Sequence, residues 1–237
     1  MRIPFAFIKS GAAVFDPATL ALSGWWRADY AGAPWAANAS SGASLANGNL
    51  VTNGNDPAVG ATQNGYAPAD FDGTNDNLVN AVLDTTFWTT TAGSIVCLAY
   101  MDTAAAPTGN TWDDNTVIRN ANSNQGLSFT TSGYTGYAYD GAYQSKAVAC
   151  ATGAYHLVMM TWDGADIGMT LDSAAETTAA CGTLTMGADA INVGANQPAT
   201  DGIDGRILEL MTSRVKLSST DYGNIKSYVN SRYILSL

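Results

Sequence analysis

The chain has 237 residues, is 46% apolar and 13% charged, and sets 20 acidic against 10 basic side chains for a net charge of −10. That length suits one large domain able to bury about 70% of its unfolded surface, and the apolar content excludes a disordered chain. With no cluster of Lys and Arg to neutralise phosphates, nucleic acid and anionic membranes are excluded as partners.

Met1 to Lys9 is apolar with Pro4 interrupting it, too short a run for a secretory signal or a membrane span. Residues 1–15 are therefore expected to be an N-terminal arm on a neighbouring subunit or an edge strand, and residues 16–237 one domain. Leu22-Ser23-Gly24-Trp25-Trp26-Arg27 reads as an opening strand. From Ala31 to Pro68 the chain is dominated by Ala, Asn, Gly and Ser, with Asn47-Gly48, Asn53-Gly54 and Asn64-Gly65 as turn signals. Ala69 to Val79 then alternates strand, Asp72-Gly73 turn and strand, as a hairpin corner requires.

Ser94 to Tyr100 is an apolar strand in which Cys97 is expected to be a buried thiol. Cys150 and Cys181 flank small residues, and a bridge between them stays open at this level. Tyr155 to Trp162, the turn Asp163-Gly164 and Ile167 to Leu171 form a predicted hairpin. Ala190 to Val193 and Arg206 to Met211 are further strands, the second with Glu209 bracketed by Ile207, Leu208, Leu210 and Met211. Ser218 to Asp221 supplies N-cap chemistry for a terminal helix bearing Ile225, Tyr228 and Val229.

In this order the Trp25-Trp26 strand, the Phe71-Asp72-Gly73 corner, the Trp162-Asp163-Gly164 hairpin, the Gly205-to-Glu209 strand and the closing helix resemble the concanavalin-A-like and laminin-G-like lectin and glucanase superfamily. The resemblance spans roughly residues 16 to 235. It implies an all-β fold, a two-sheet antiparallel jelly-roll β-sandwich with a short C-terminal helix. It implies too that residues 31–68 form a meandering loop with short strands over one face. Fold alone does not give function.

Catalysis finds little support. Glucanases of the superfamily set two Glu and an Asp on one strand face so that one carboxylate attacks and another protonates the leaving oxygen. Here Glu209 stands alone, with Met211 where a second acid belongs. His156, the only histidine, sits at a strand start and is expected to be structural, and no phosphate loop or nucleophile elbow occurs. The chain is expected not to be an enzyme.

Glycan binding has candidate residues. Sugar rings stack their C–H faces on aromatics, and Tyr134, Tyr137, Tyr139 and Tyr143 cluster in one segment, with Trp112 in a polar loop nearby. Period-2 spacing sends Tyr137 and Tyr139 to one sheet face, as a stacking platform or as amphipathic strand fillers. Calcium, which wants several oxygens, has candidate ligands in Asp113 and Asp114 and in Asp201 and Asp204, although neither pair matches a dedicated loop. The resemblance also extends to bacteriophage head, tail and fibre domains. It implies a virion accessory protein at the particle surface, with identical subunits or other virion proteins as partners and a cell-surface glycan as ligand. The alternative is a bacterial secreted or surface carbohydrate-binding module.

Overall fold

A computed structural model describes residues 15–29, 31–32, 50–52, 55–80, 84–104, 115–121, 125–187, 189–195 and 202–237. In chain order the strands are β1 (Leu22–Arg27), β2 (Val51–Thr52), β3 (Ala58–Val59), β4 (Ala69–Asp72), β5 (Leu78–Asn80), β6 (Gly93–Met101), β7 (Thr116–Asn120) and β8 (Gln125–Thr130). They continue as β9 (Gly133–Tyr139), β10 (Tyr143–Val148), β11 (Tyr155–Trp162), β12 (Asp166–Leu171), β13 (Thr177–Ala180), β14 (Ile191–Val193) and β15 (Asp204–Ser213), and helix α1 (Ser219–Tyr233) closes the chain.

Among the described residues these strands build two antiparallel sheets. The eight-stranded sheet runs β13-β12-β11-β6-β15-β4-β3 with β1 also on β15, and the seven-stranded sheet runs β10-β9-β8-β7-β14-β5-β2. The sandwich implied by the resemblance is therefore present. The stretch after the first strand departs from expectation, because β2 joins the seven-stranded sheet and β3 the eight-stranded one. Its short strands lie on both sheets rather than over one face.

Alternation decides which side chains meet. Trp26 points between the sheets, where it packs on Phe87 with ring centroids 5.6 Å apart, while its neighbour Trp25 points the other way. Val158, Met160 and Trp162 of β11 likewise enter the inter-sheet core, and Leu157 and Met159 face α1. The helix starts at a capping box in which the Ser218 hydroxyl accepts from the Asp221 N–H and the Asp221 carboxylate accepts from the Ser218 N–H. Tyr222, Ile225, Tyr228, Val229 and Tyr233 form its buried stripe and cover the outer face of the eight-stranded sheet. Cys97, Cys150 and Cys181 are all unbridged. Among the described residues no helix is long and apolar enough to cross a membrane.

Candidate functional site

A sandwich has two broad outer faces, and α1 occupies one of them. On the seven-stranded sheet, register places Asn192, Arg119, Gly126, Tyr137 and Ser145 in one row across β14, β7, β8, β9 and β10 on the face away from the core. Arg119, Gly126 and Tyr137 are buried nonetheless. A Cβ added at Gly126 would stand 2.7 Å from both the Tyr137 hydroxyl and the Arg119 Cβ. The tyrosine thus reaches across the space its glycine partner leaves, rather than standing up from the sheet as a platform. Gly126 carries that signal in the sequence, but only once its register with Tyr137 is known.

The other predicted aromatics separate in the same way. Tyr134 points inward, fully buried edge-on against Phe129 at 4.8 Å, and burial pushes its phenol well above the usual range. It is a core residue and is removed from the carbohydrate candidates. Tyr139 and Tyr143 are cross-strand partners with centroids 5.0 Å apart, and Tyr143 is 40% exposed. The hairpin between them is braced by Asp140, which accepts from Gly182 N–H at 2.7 Å, Ala142 N–H at 3.2 Å and Gln144 Nε2 at 3.3 Å. Those bonds, the Gly182 one first, hold its carboxyl below the usual range. Of the four tyrosines this pair alone reaches solvent. Trp112, Asp113, Asp114 and Asp201 lie outside the described residues.

A concave feature lies elsewhere, at one end of the sandwich. There β4 ends at Asp72 and β15 begins at its register partner Asp204, while the chain leaving β6 passes as Asp102-Thr103 and Asn115 leads into β7. Asp72, Thr103, Asn115 and Asp204, together with Gly73, Gly202 and Phe129, line a cleft of about 150 Å³. The corner is fixed locally. Gly73 takes φ +77° and donates to the Ile203 carbonyl at 3.0 Å, and the Asp72 carboxylate accepts from Thr74 N–H at 2.8 Å. Across the cleft the Thr103 hydroxyl donates to Asp204 Oδ2 at 2.7 Å.

The rim is strongly acidic. Arg206 Nη2 donates to both oxygens of Asp102 at 2.8 and 2.9 Å, its Nε stands 3.5 Å from Asp70, and its guanidinium lies 4.5 Å above the Tyr100 ring. Asp70 is nevertheless raised above the usual carboxylate range, by burial first and then by Asp102 and Asp204, against the lowering pull of Arg206. Asp76 is raised by burial and by the charges of Asp72, Asp56 and Asp70, against a backbone hydrogen bond from Asp72. The cleft is therefore an array of acceptors in a negative field, suited to a ligand rich in hydroxyl donors. Among the described residues no three His, Cys, Asp or Glu side chains are grouped to hold a metal, and Asp204 already shares one oxygen with Thr103.

Glu209 is buried beneath α1. Its carboxylate accepts from Trp25 Nε1 at 2.7 Å, Tyr228 Oη at 2.9 Å and Tyr233 Oη at 2.6 Å, with Arg232 Nε at 3.8 Å. Every oxygen is engaged by the fold. Of the residues that line the cleft, Asp204 was a candidate in the sequence, as a calcium ligand; Asp72, Thr103, Asn115 and Phe129 were not, because they come from segments far apart in the chain. The Asp72-Gly73 corner offered a signal too, but it read as a turn.

No protein-family model and no curated protein sequence matches the chain. Solved structures do share its fold. Domain 4 of AbnA, an extracellular arabinanase from Geobacillus stearothermophilus solved with arabinotriose, is 13% identical with a TM-score of 0.61 over 90% of this chain and 98% of that one. The receptor-binding domain of botulinum neurotoxin mosaic serotype C/D is 11% identical with a TM-score of 0.59 over 87% of this chain, which spans 50% of it. A Trypanosoma rangeli sialidase in complex with sialic acid is 13% identical with a TM-score of 0.62, and this chain spans 35% of its length. At such identities the likeness establishes the β-sandwich and nothing finer.

Proposed function

We propose that the chain is a non-catalytic carbohydrate-binding module that takes a neutral sugar residue in the cleft at the end of the sandwich. One observation carries this reading: Asp72 and Asp204 stand side by side in a 150 Å³ concavity whose walls also offer the Thr103 hydroxyl and the two glycine backbones of Gly73 and Gly202. Carboxylates accept strongly from sugar hydroxyls, and glycine lets a ligand approach the main chain. The acidic rim favours neutral over anionic glycans. The engagement of Glu209 by Trp25, Tyr228 and Tyr233 supports binding without hydrolysis. One structural neighbour, a domain solved with the neutral sugar arabinotriose, lends the reading support by analogy. Its setting on a bacteriophage particle rests on the sequence resemblance alone, and mass spectrometry of purified particles checks it by copy number.

The test is calorimetric titration with neutral oligosaccharides, beginning with arabinan, galactan and glucan fragments. Losing one charge-assisted hydrogen bond costs about 1.5–3 kcal/mol and one neutral bond about 0.5–1.5 kcal/mol, so Asp204→Asn should weaken binding roughly 10- to 100-fold and Thr103→Ala roughly 2- to 10-fold. Tyr143→Ala, outside the cleft, should leave it unchanged. Equal affinity in the cleft variants, or release of reducing ends from any of these glycans, overturns the proposal.

A further inference from the structure

We propose that the groove between α1 and the turn of residues 172–176 is a second sugar site, taking one neutral, hydroxyl-rich ring; it shares the ligand class of the cleft reading and none of its residues. The floor is the outer face of the eight-stranded sheet, where Met159 of β11 and Thr170 of β12 are register partners. One wall is a flank of α1, on which Ser219, Tyr222, Gly223 and Lys226 recur at helical spacing, and the other is the turn. Together they enclose about 220 Å³, against about 150 Å³ for the cleft.

Gly223 is the residue that folding alone does not explain. It stands in the interior of a 15-residue helix, where glycine weakens the element relative to alanine. Its φ is not positive, and outside the helix backbone no atom of the described chain lies within 4 Å of the place a Cβ would take. Neither backbone geometry nor packing requires a glycine there, and what its missing side chain preserves is the open groove. A second glycine shapes one end. Gly168 leaves room for the Glu176 carboxylate to cross β12 and accept from the Thr161 hydroxyl at 2.6 Å, with Lys216 Nζ 3.8 Å away. At the other end Lys226 Nζ donates to Ser173 Oγ at 2.9 Å and ties the helix to the turn. Closure at both ends suits a single ring rather than a polymer running through.

The lining selects the ligand by charge. Asp172 and Glu176 stand in it against Lys226 alone, which disfavours an anion. Both carboxylates are already matched, Asp172 by His156 Nδ1 at 2.7 Å and Leu157 N–H at 2.9 Å, Glu176 by Thr161 and Lys216, so neither calls for a cation. The Thr170, Ser173 and Ser219 hydroxyls and the Lys226 ammonium offer donors and acceptors, while Met159, Leu217 and Tyr222 offer apolar surface. A neutral ring with a C–H face and several hydroxyls satisfies both sets.

The experiment is NMR titration of the full chain, labelled at backbone nitrogen and methionine methyl, with arabinotriose, galactotriose and maltotriose. The Met159 methyl and the Gly223 and Ser173 amides should shift saturably with at least one of the three, in the native chain and in Asp204→Asn alike. Gly223→Leu fills the groove and should abolish those shifts while the melting temperature holds or rises, because leucine is the better helix former. Lys226→Met should weaken groove binding roughly tenfold or more, and it decides the matter should Gly223→Leu fail to fold. Silence of the groove signals with all three sugars, or shifts indifferent to both substitutions, overturns the proposal. Groove signals that move while the Gly73 and Thr103 amides stay still refute the cleft reading and support the groove.

Discussion

Glu209 should make the stability of this protein depend on pH in the direction opposite to an ordinary salt-bridged carboxylate. Burial raises its carboxyl from 4.5 to about 7, outweighing the hydrogen bonds from Tyr233, Trp25 and Tyr228 and the charge of Arg232, all of which lower it. Between those two values the folded chain holds a proton that the unfolded chain releases. Stability therefore falls as pH rises through this window and stays lower above it. At about 1.4 kcal/mol per pH unit, the difference amounts to roughly 3 kcal/mol. Urea unfolding of the native chain and of Glu209→Gln, from about pH 4 to about pH 8.5, isolates the effect because other titrating groups cancel in the comparison. The native chain should lose roughly 3 kcal/mol relative to the variant between about pH 4.5 and pH 7. Parallel curves, or a native chain that gains on the variant as pH rises, would refute the reasoning, since either would mean that burial does not dominate.

Two substitutions probe the frame around the cleft and core. Gly73→Val should destabilise the corner and abolish cleft binding, since φ is +77° there and a Cβ would meet the Asp204 Cβ at 2.9 Å; thermal unfolding with sugar titration reads both, and a native melting curve contradicts the corner geometry. Trp162→Ala should cost about 3–5 kcal/mol in urea unfolding. That ring is fully buried against Trp88 and donates to the Thr89 carbonyl at 2.8 Å, so a loss below about 1 kcal/mol would place it outside the core.

The fold was legible where chemistry is local. Tandem tryptophans on alternating faces, an Asp-Gly corner and a Ser-Asp capping box each specify geometry within a few residues, and each appears where the pattern places it. The apolar bracket around Glu209 correctly announced burial, yet nothing near it named Trp25, Tyr228 and Tyr233 as partners, because they arrive from the opening strand and the last helix. The tyrosine run misled for a related reason. Period-2 spacing assigns a face but not an exposure, so it could not show that Tyr134 faces the core or that Tyr137 lies toward Gly126. His156 likewise read as a lone residue until the hairpin brought Asp172 to it.

The position of β15 sets a timetable for the molecule. It follows every other described strand in the chain, yet it sits inside its sheet, with β6 on one side and β4 and β1 on the other. Until it emerges from the ribosome, β6 and the β4 and β1 segments made long before it cannot be joined through their shared neighbour. They wait as apolar strand edges open to any partner. A chain that lacks β15 should thus be sticky rather than merely shortened, and the docking of that strand between β6 and its other neighbours is the event that closes the sheet.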